Sequence, residues 1–224
     1  MEGGPRAAGE SHQHVAPYHR ARLDTKKKSL RASEQDPDAR VAFRELMATL
    51  DPERLVVVDE RGSNLALTPL YARAPRGQRA YAAIPRNYGK NTTLVSALTL
   101  SGMDAAMIIE GGVDTAVVEA YVEYVLCPVL TPGKIVVMDN LSSHKGTRVE
   151  QLITAAGCTV LFLPPYSPDF SPIEHAFAKI KQALRRAGAR TREALEAALA
   201  EALGTITAAD ARAFFRHCGY AVPA

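Results

Sequence analysis

Ile135-Val136-Val137-Met138-Asp139 is an apolar run that stops on an acid, and Leu55-Val56-Val57-Val58-Asp59 has the same form earlier in the chain. Unbroken Val/Ile/Leu character over the length of a strand marks a strand covered on both faces, as at the centre of a sheet. Ligands of open α/β sheets collect at the carboxyl ends of such strands. A third acid, Glu174, opens a helical segment, with 34 residues between it and Asp139. It comes after Leu163-Pro164-Pro165-Tyr166-Ser167-Pro168, where three prolines stiffen the path out of a further strand.

Around these anchors the pattern reads as alternating elements. Asp36-Pro37-Asp38 starts a helix that carries Val41, Phe43, Leu46, Met47 and Leu50 at helical spacing. Arg54–Asp59 is a strand, Arg61-Gly62-Ser63-Asn64 a turn, and Leu65–Tyr71 is expected to return antiparallel. Residues 72–91 read as a long loop with some strand. Thr92–Leu100 and Ala105–Ile109 form the next strands, joined at Ser101-Gly102. Thr115–Leu130 has helical periodicity, Lys134–Asp139 is a strand, and Gly146–Ala156 is a helix closed by Gly157. Thr159–Leu163 is a strand, Pro172–Ala187 a helix, and helices over about 191–203 and 208–217 finish the chain. Antiparallel strands succeeded by alternating helices and parallel strands define a ribonuclease-H-like α/β fold. The expectation is a mixed five-stranded sheet flanked by helices, with extra C-terminal helices. The acids then fall on the Arg54–Asp59 strand, at the end of the Lys134–Asp139 strand, and on the helix after Thr159–Leu163.

Two aspartates on neighbouring strand ends and a glutamate on a late helix suit a pair of divalent cations. Such a pair activates water and stabilises the leaving oxygen of a phosphodiester. Each acid also has a structural reading. Asp59-Glu60 fits a turn into solvent, and Glu60 points away from Asp59 if the strand continues, which leaves it a salt-bridge or supporting role. Asp139-Asn140, with Ser142 and Ser143, fits an Asx-turn or a helix cap. Ser171-Pro172-Ile173-Glu174 fits a capping box in which the glutamate serves backbone N–H groups. Asp169 competes as third acid from a proline-bounded turn, although a helix holds geometry better. Asn140 and His144 are candidates to touch a phosphate or a metal-bound water.

The net charge of +3 and 47% apolar composition are ordinary for a globular protein. The charge is unevenly spread. Arg73, Arg76, Arg79, Arg86 and Lys90 lie between Tyr71 and Lys90 without one acid, and Lys26-Lys27-Lys28 form a second cluster. Lys179, Lys181, Arg185, Arg186, Arg190 and Arg192 come after Glu174. Basic patches flanking an acidic trio suit an enzyme that grips a polyanion and cuts it, while solvated surface is the bland alternative. Cys127, Cys158 and Cys218 have no CxxC pairing, which argues against a disulfide framework or a zinc site. Cys127 and Cys158 sit in apolar runs as small hydrophobes. His12, His14 and His19 read as exposed. No stretch approaches a membrane span and no secretory signal is visible, so a cytoplasmic location is expected. Residues 1–33 lack apolar periodicity and read as a disordered or truncated N-terminal segment, with the catalytic domain over 34–224.

The blocks "VVVDERG", "VVMDNLSSH" and "LFLPPYSPDFSPIEHAFAKIK" resemble the catalytic blocks of mariner-like bacterial transposases, the insertion sequence 630 family. The resemblance covers roughly residues 25–220. It implies that Asp59, Asp139 and Glu174 form a catalytic triad binding two Mg²⁺ or Mn²⁺ ions. It also implies cut-and-paste transposition, in which water cleaves at the element's ends and the freed 3′-hydroxyl attacks a TA target. The implied partners are transposon-end and target DNA, a second copy of the chain on that DNA, and helix-turn-helix modules that read the ends. Residues 1–24 are too short to hold that pair of modules, so a separate helix-turn-helix protein is a further expected partner. Ser171 stands where the family has Asn, and both cap helices well. Ala74 stands where a Trp often precedes the Pro-Arg-Gly. Two functions from different classes are open: a DDE-type recombinase domain, or a catalytically idle DNA-binding remnant. A ribonuclease-H-like nuclease outside transposition is a third.

Overall fold

The computed structural model describes residues 32–140 and 146–223, so the expectations for Lys26–Lys28, for His12, His14 and His19, and for His144 lie outside the described residues. Residues from Ala32 onward form one compact unit. Helix α1 spans Pro37–Thr49, and the Asp36 carboxylate accepts from the Asp38 and Ala39 N–H groups at its start. Strands β1 (Leu55–Ser63), β2 (Thr92–Thr99) and β3 (Gly102–Glu110) come next. Then come α2 (Thr115–Tyr121), β4 (Ile135–Met138), α3 (Thr147–Ala155), β5 (Thr159–Phe162), α4 (Ile173–Ala187), α5 (Arg192–Gly204) and α6 (Ala208–His217). The sheet has five strands in the order β3-β2-β1-β4-β5, with β1–β2 and β2–β3 antiparallel and β1–β4 and β4–β5 parallel. This is the ribonuclease-H-like arrangement expected from the element order.

Alternation along the central strands divides the core. Leu55 and Val57, with Ile135 and Val137, join the cluster built with α1, α4, α5 and α6. Val56, Val58, Val136 and Met138 join the opposite cluster with α2 and α3. Successive side chains of a strand face opposite ways, so continuing the parity sends Asp59 towards the α4 side and Glu60 away from it. The β1–β4 register pairs Leu55 with Ile135 and Val57 with Val137. Asp59 and Asp139 are therefore delivered at matching height on adjacent strands.

Several local expectations are corrected. Strand β1 continues through Arg61-Gly62-Ser63 because Gly62 and Ser63 pair with Thr93 and Thr92 of β2, and that ladder overrides the turn signal. Leu65–Tyr71 forms no strand: Leu65 and Leu67 pack against the core while Arg190 Nη1 donates to both their carbonyls at 3.1 and 3.0 Å. Residues 72–91 contain no strand either. In α1 only Phe43 and Met47 are buried, and Val41 and Leu46 face solvent. The segment after α2 passes through a π turn (Val122–Leu126) and a 3-10 turn (Cys127–Val129), where Pro128 lacks the N–H that a continuing α-helix needs. At the β2–β3 turn Gly102 has φ +125°, and a Cβ there would meet the Ile206 carbonyl at 2.9 Å, so the close approach of the chain before α6 requires glycine. Cys158 and Cys218 are buried and Cys127 is half-buried.

Candidate active site

A cavity of about 290 Å³ opens at the carboxyl end of β4 and beside the middle of β1, where Asp59 lies within the strand and not at its end as expected. Asp59, Asp139 and Asn140 form its floor, Glu174 and Ser171 its α4 side, and Leu163 to Pro168 its wall. The structure thus brings together the three acids singled out from the sequence. Glu60 does not line this cavity, in keeping with its opposite parity on β1.

The proline-rich wall is pinned from α1. Arg40 donates from Nη1 to Ser167 Oγ at 2.7 Å and to Asp169 Oδ1 at 2.9 Å, and from Nη2 to Asp169 Oδ2 at 2.6 Å. Its guanidinium also lies 4.4 Å above the Phe170 ring. Ser167 Oγ donates onward to the Pro165 carbonyl at 3.0 Å, and Gln35 Nε2 donates to the Tyr166 carbonyl at 2.6 Å. Tyr166 has φ +52°, a left-handed conformation uncommon outside glycine, which these contacts hold in place. Tyr220 reaches in from beyond α6 and donates to the Phe170 carbonyl at 3.0 Å. The forked pairing with Arg40 holds the Asp169 carboxyl below the usual carboxylate range. Asp169 is thereby committed to the wall and does not line the cavity.

Glu174 is differently placed. The capping box expected at Ser171–Glu174 does not form: α4 has no side-chain cap, and the Glu174 N–H bonds to the Ser171 carbonyl at 3.3 Å. Pro172 occupies the cap position, so the serine hydroxyl is not presented to the helix. The true capping box belongs to α6, between Thr207 and Asp210. Glu174 instead faces the cavity, with Oε2 3.8 Å from Arg61 Nη1.

Asp59 keeps part of its surface open to the cavity while protein atoms crowd the rest. Burial pushes its carboxyl up to about 8; the Glu60 N–H, donating to Asp59 Oδ1 at 2.7 Å, opposes this, and the charges of Glu60, Glu174 and Asp139 add to the rise. Burial is the main cause and the neighbouring carboxylates add to it; a bound proton or a cation relieves both. The donors are all carboxylate oxygens, the ligand type preferred by Mg²⁺ and Mn²⁺. Among the described residues no group of three or more His, Cys, Asp or Glu is arranged to hold a metal ion as it stands. The chemistry of the donor set fits a divalent cation; its present arrangement leaves Glu174 beside Arg61.

The basic residues separate into groups. Arg73, Arg76, Arg79 and Arg86 are exposed on the irregular segment between β1 and β2. Lys90 pairs with Glu110 at 3.2 Å, and Arg192 shares the same carboxylate. Lys179 is engaged by Asp210 at 2.7 Å and by the Thr205 carbonyl at 2.9 Å, away from the cavity. Lys181 stands with Arg61 and Arg185; partial burial and those two cations lower its ammonium from the ordinary value. Sequence reasoning misses Arg40 and Arg61. The β1 parity that carries Asp59 also carries Arg61 and could have found it, whereas Arg40 acts across about 130 residues and leaves no local trace.

A family model described as DDE superfamily endonuclease matches residues 54–196, more than half of the chain. The fold and the cavity define a ribonuclease-H-like domain with carboxylates gathered from β1, the end of β4 and α4. The chain belongs to the DDE superfamily endonucleases. A crystal structure of a pre-cleavage Mos1 transpososome matches with TM-score 0.68 at 18% identity, covering 88% of this chain and 63% of that one. A mariner Mos1 paired-end complex with Mg gives TM-score 0.68 at 18% identity, covering 90% and 66%. The catalytic domain of Mos1 mariner transposase gives 0.57 at 19%, covering 80% and 82%. At these identities the likeness establishes the fold. The chain spans less than two thirds of the length of the first of these. No curated protein sequence matches it. Among the described residues no helix is long and apolar enough to cross a membrane.

Proposed function

We propose that residues 34–224 are the catalytic domain of a mariner-like transposase of the insertion sequence 630 kind, cleaving DNA at element ends and joining it to a TA target. The observation that carries this reading is the convergence of Asp59, Asp139 and Glu174 on one cavity within a DDE endonuclease domain. These three residues would hold two Mg²⁺ or Mn²⁺ ions, which when bound supply Lewis-acid stabilisation and an activated water. Solved relatives described as complexes with Mg, with Mn and with a transposon end support the choice of metal and of DNA as substrate. The protein's own part is positional. The paired strands β1 and β4 set the spacing of the aspartates, α4 carries the glutamate, and the Arg40-pinned wall excludes solvent from one side. Arg73, Arg76, Arg79 and Arg86, with Lys181 and Arg185, are the proposed phosphate contacts; Lys90 and Lys179 are weaker candidates because acids already engage them. Glu60, Asn140 and His144 keep supporting roles. End recognition and a second copy of the chain complete the proposed assembly.

The test is Mg²⁺- and Mn²⁺-dependent nicking of DNA bearing the element's ends, with Asp139→Asn as control. Loss of nicking with DNA binding retained supports a metal-dependent catalytic core. Nicking that survives Asp139→Asn removes the assignment. DNA binding without nicking by the unsubstituted chain, even with end-recognition modules supplied in trans, favours an idle DNA-binding remnant.

A further inference from the structure

Resting on that reading, we infer that Arg61 is a positioning residue that couples DNA binding to metal binding by holding Glu174 until a phosphate takes its place. Arg61 and Asp59 are two apart on β1 and share a face. The guanidinium lies 3.8 Å from Glu174 Oε2, with the side chains 35% and 40% exposed, so the contact is loose and open to exchange. Along α4, Lys181 and Arg185 lie seven and eleven residues beyond Glu174, which places all three on one helical stripe. Arg61 thus sits where the acid cavity meets a cationic strip.

Electrostatics makes this position a switch point. A cation entering among Asp59, Asp139 and Glu174 is repelled by a guanidinium at the glutamate and loses part of that ligand to it. A DNA phosphate offers Arg61 a paired anion and a bidentate hydrogen-bond partner. When Arg61 turns to the phosphate, Glu174 is released to the cavity. Each ligand then tightens the other by the same factor.

The experiment tracks free Mn²⁺ by its paramagnetic resonance signal during titration of the full chain, with and without a saturating short duplex. Without DNA, Arg61→Gln is expected to bind Mn²⁺ about fivefold more tightly than the unsubstituted chain. Adding duplex is expected to tighten Mn²⁺ binding roughly tenfold in the unsubstituted chain and less than about twofold in Arg61→Gln. Arg61→Lys, which keeps the charge, retains most of the coupling. Equal Mn²⁺ affinity in the two DNA-free chains, or an undiminished effect of duplex in Arg61→Gln, overturns the inference. Glu174→Gln separates the levels: if it binds Mn²⁺ as well as the unsubstituted chain, the metal reading itself fails, and the coupling with it.

Discussion

Two irregular stretches of the chain, one lining the cavity and one between β1 and β2, are built in opposite ways. Residues 163–171 succeed β5, contain buried Ser167, Phe170 and Ser171, and are fixed by hydrogen bonds and ring contacts from α1. Residues 68–91 succeed β1, contain no regular structure, and leave Tyr71 and Tyr81 90% and 88% exposed. The first is part of the core and sets a shape in the absence of any ligand. The second is exposed surface that carries Arg73, Arg76, Arg79 and Arg86. Under the proposed function, rigid geometry would serve the chemistry and exposed charge would serve to grip a polyanion.

The sharpest way to break this contrast is to truncate an aromatic in each stretch. Phe170→Ala should cost about 3–5 kcal/mol, because it empties a site packed by Phe43 and two guanidiniums. Tyr81→Ala should change stability by less than about 0.5 kcal/mol. Urea unfolding of the two variants measures both, and similar losses would mean the segment after β1 is packed after all. Next in size is DNA binding. Arg76→Glu with Arg79→Glu should weaken it by about tenfold or more at moderate salt and flatten its salt dependence, with no change in stability. Unchanged binding would make the segment a bystander.

The smallest expected effect concerns acid. Pairing with Arg40 lowers the Asp169 carboxyl in the folded state. Its contribution is therefore present above the ordinary carboxylate range and is lost as pH falls through the lowered value. The stability gap between the unsubstituted chain and Arg40→Met should narrow as pH falls from 7 to about 3. The carboxylate is more than half exposed, so solvent screens the pair and the change is small. A gap that stays constant across that range would show that Arg40 acts through Phe170 and Ser167 and not through the Asp169 charge.

The sheet and its acids were legible because the deciding signals are local. Leu55–Asp59 and Ile135–Asp139 announce buried strands by composition, and strand parity then orients Asp59 and Glu60, whereas Arg61 read as part of a turn because the Gly62-Ser63 signal hid the rest of β1. Leu65–Tyr71 misled because a short apolar stretch satisfies core packing as well as a strand does, and Arg190, far along the chain, supplies the hydrogen bonds a ladder would have given. The apparent capping box at Ser171–Glu174 misled because Pro172 takes the cap position, which frees the glutamate for the cavity. The commitment of Asp169 to Arg40 is a contact between α1 and the turn before α4, and no pattern in the sequence encodes it.

That commitment favours Glu174 over Asp169 as the third acid of the proposed trio, and it gives the most direct test. Nicking of end-bearing DNA in Mn²⁺ should be compared for Glu174→Gln and Asp169→Asn at matched folding. The expected result is loss of activity by about a thousandfold or more in Glu174→Gln, with Asp169→Asn retaining a substantial part of it. Activity that survives in Glu174→Gln and disappears in Asp169→Asn would contradict the assignment of the catalytic carboxylates.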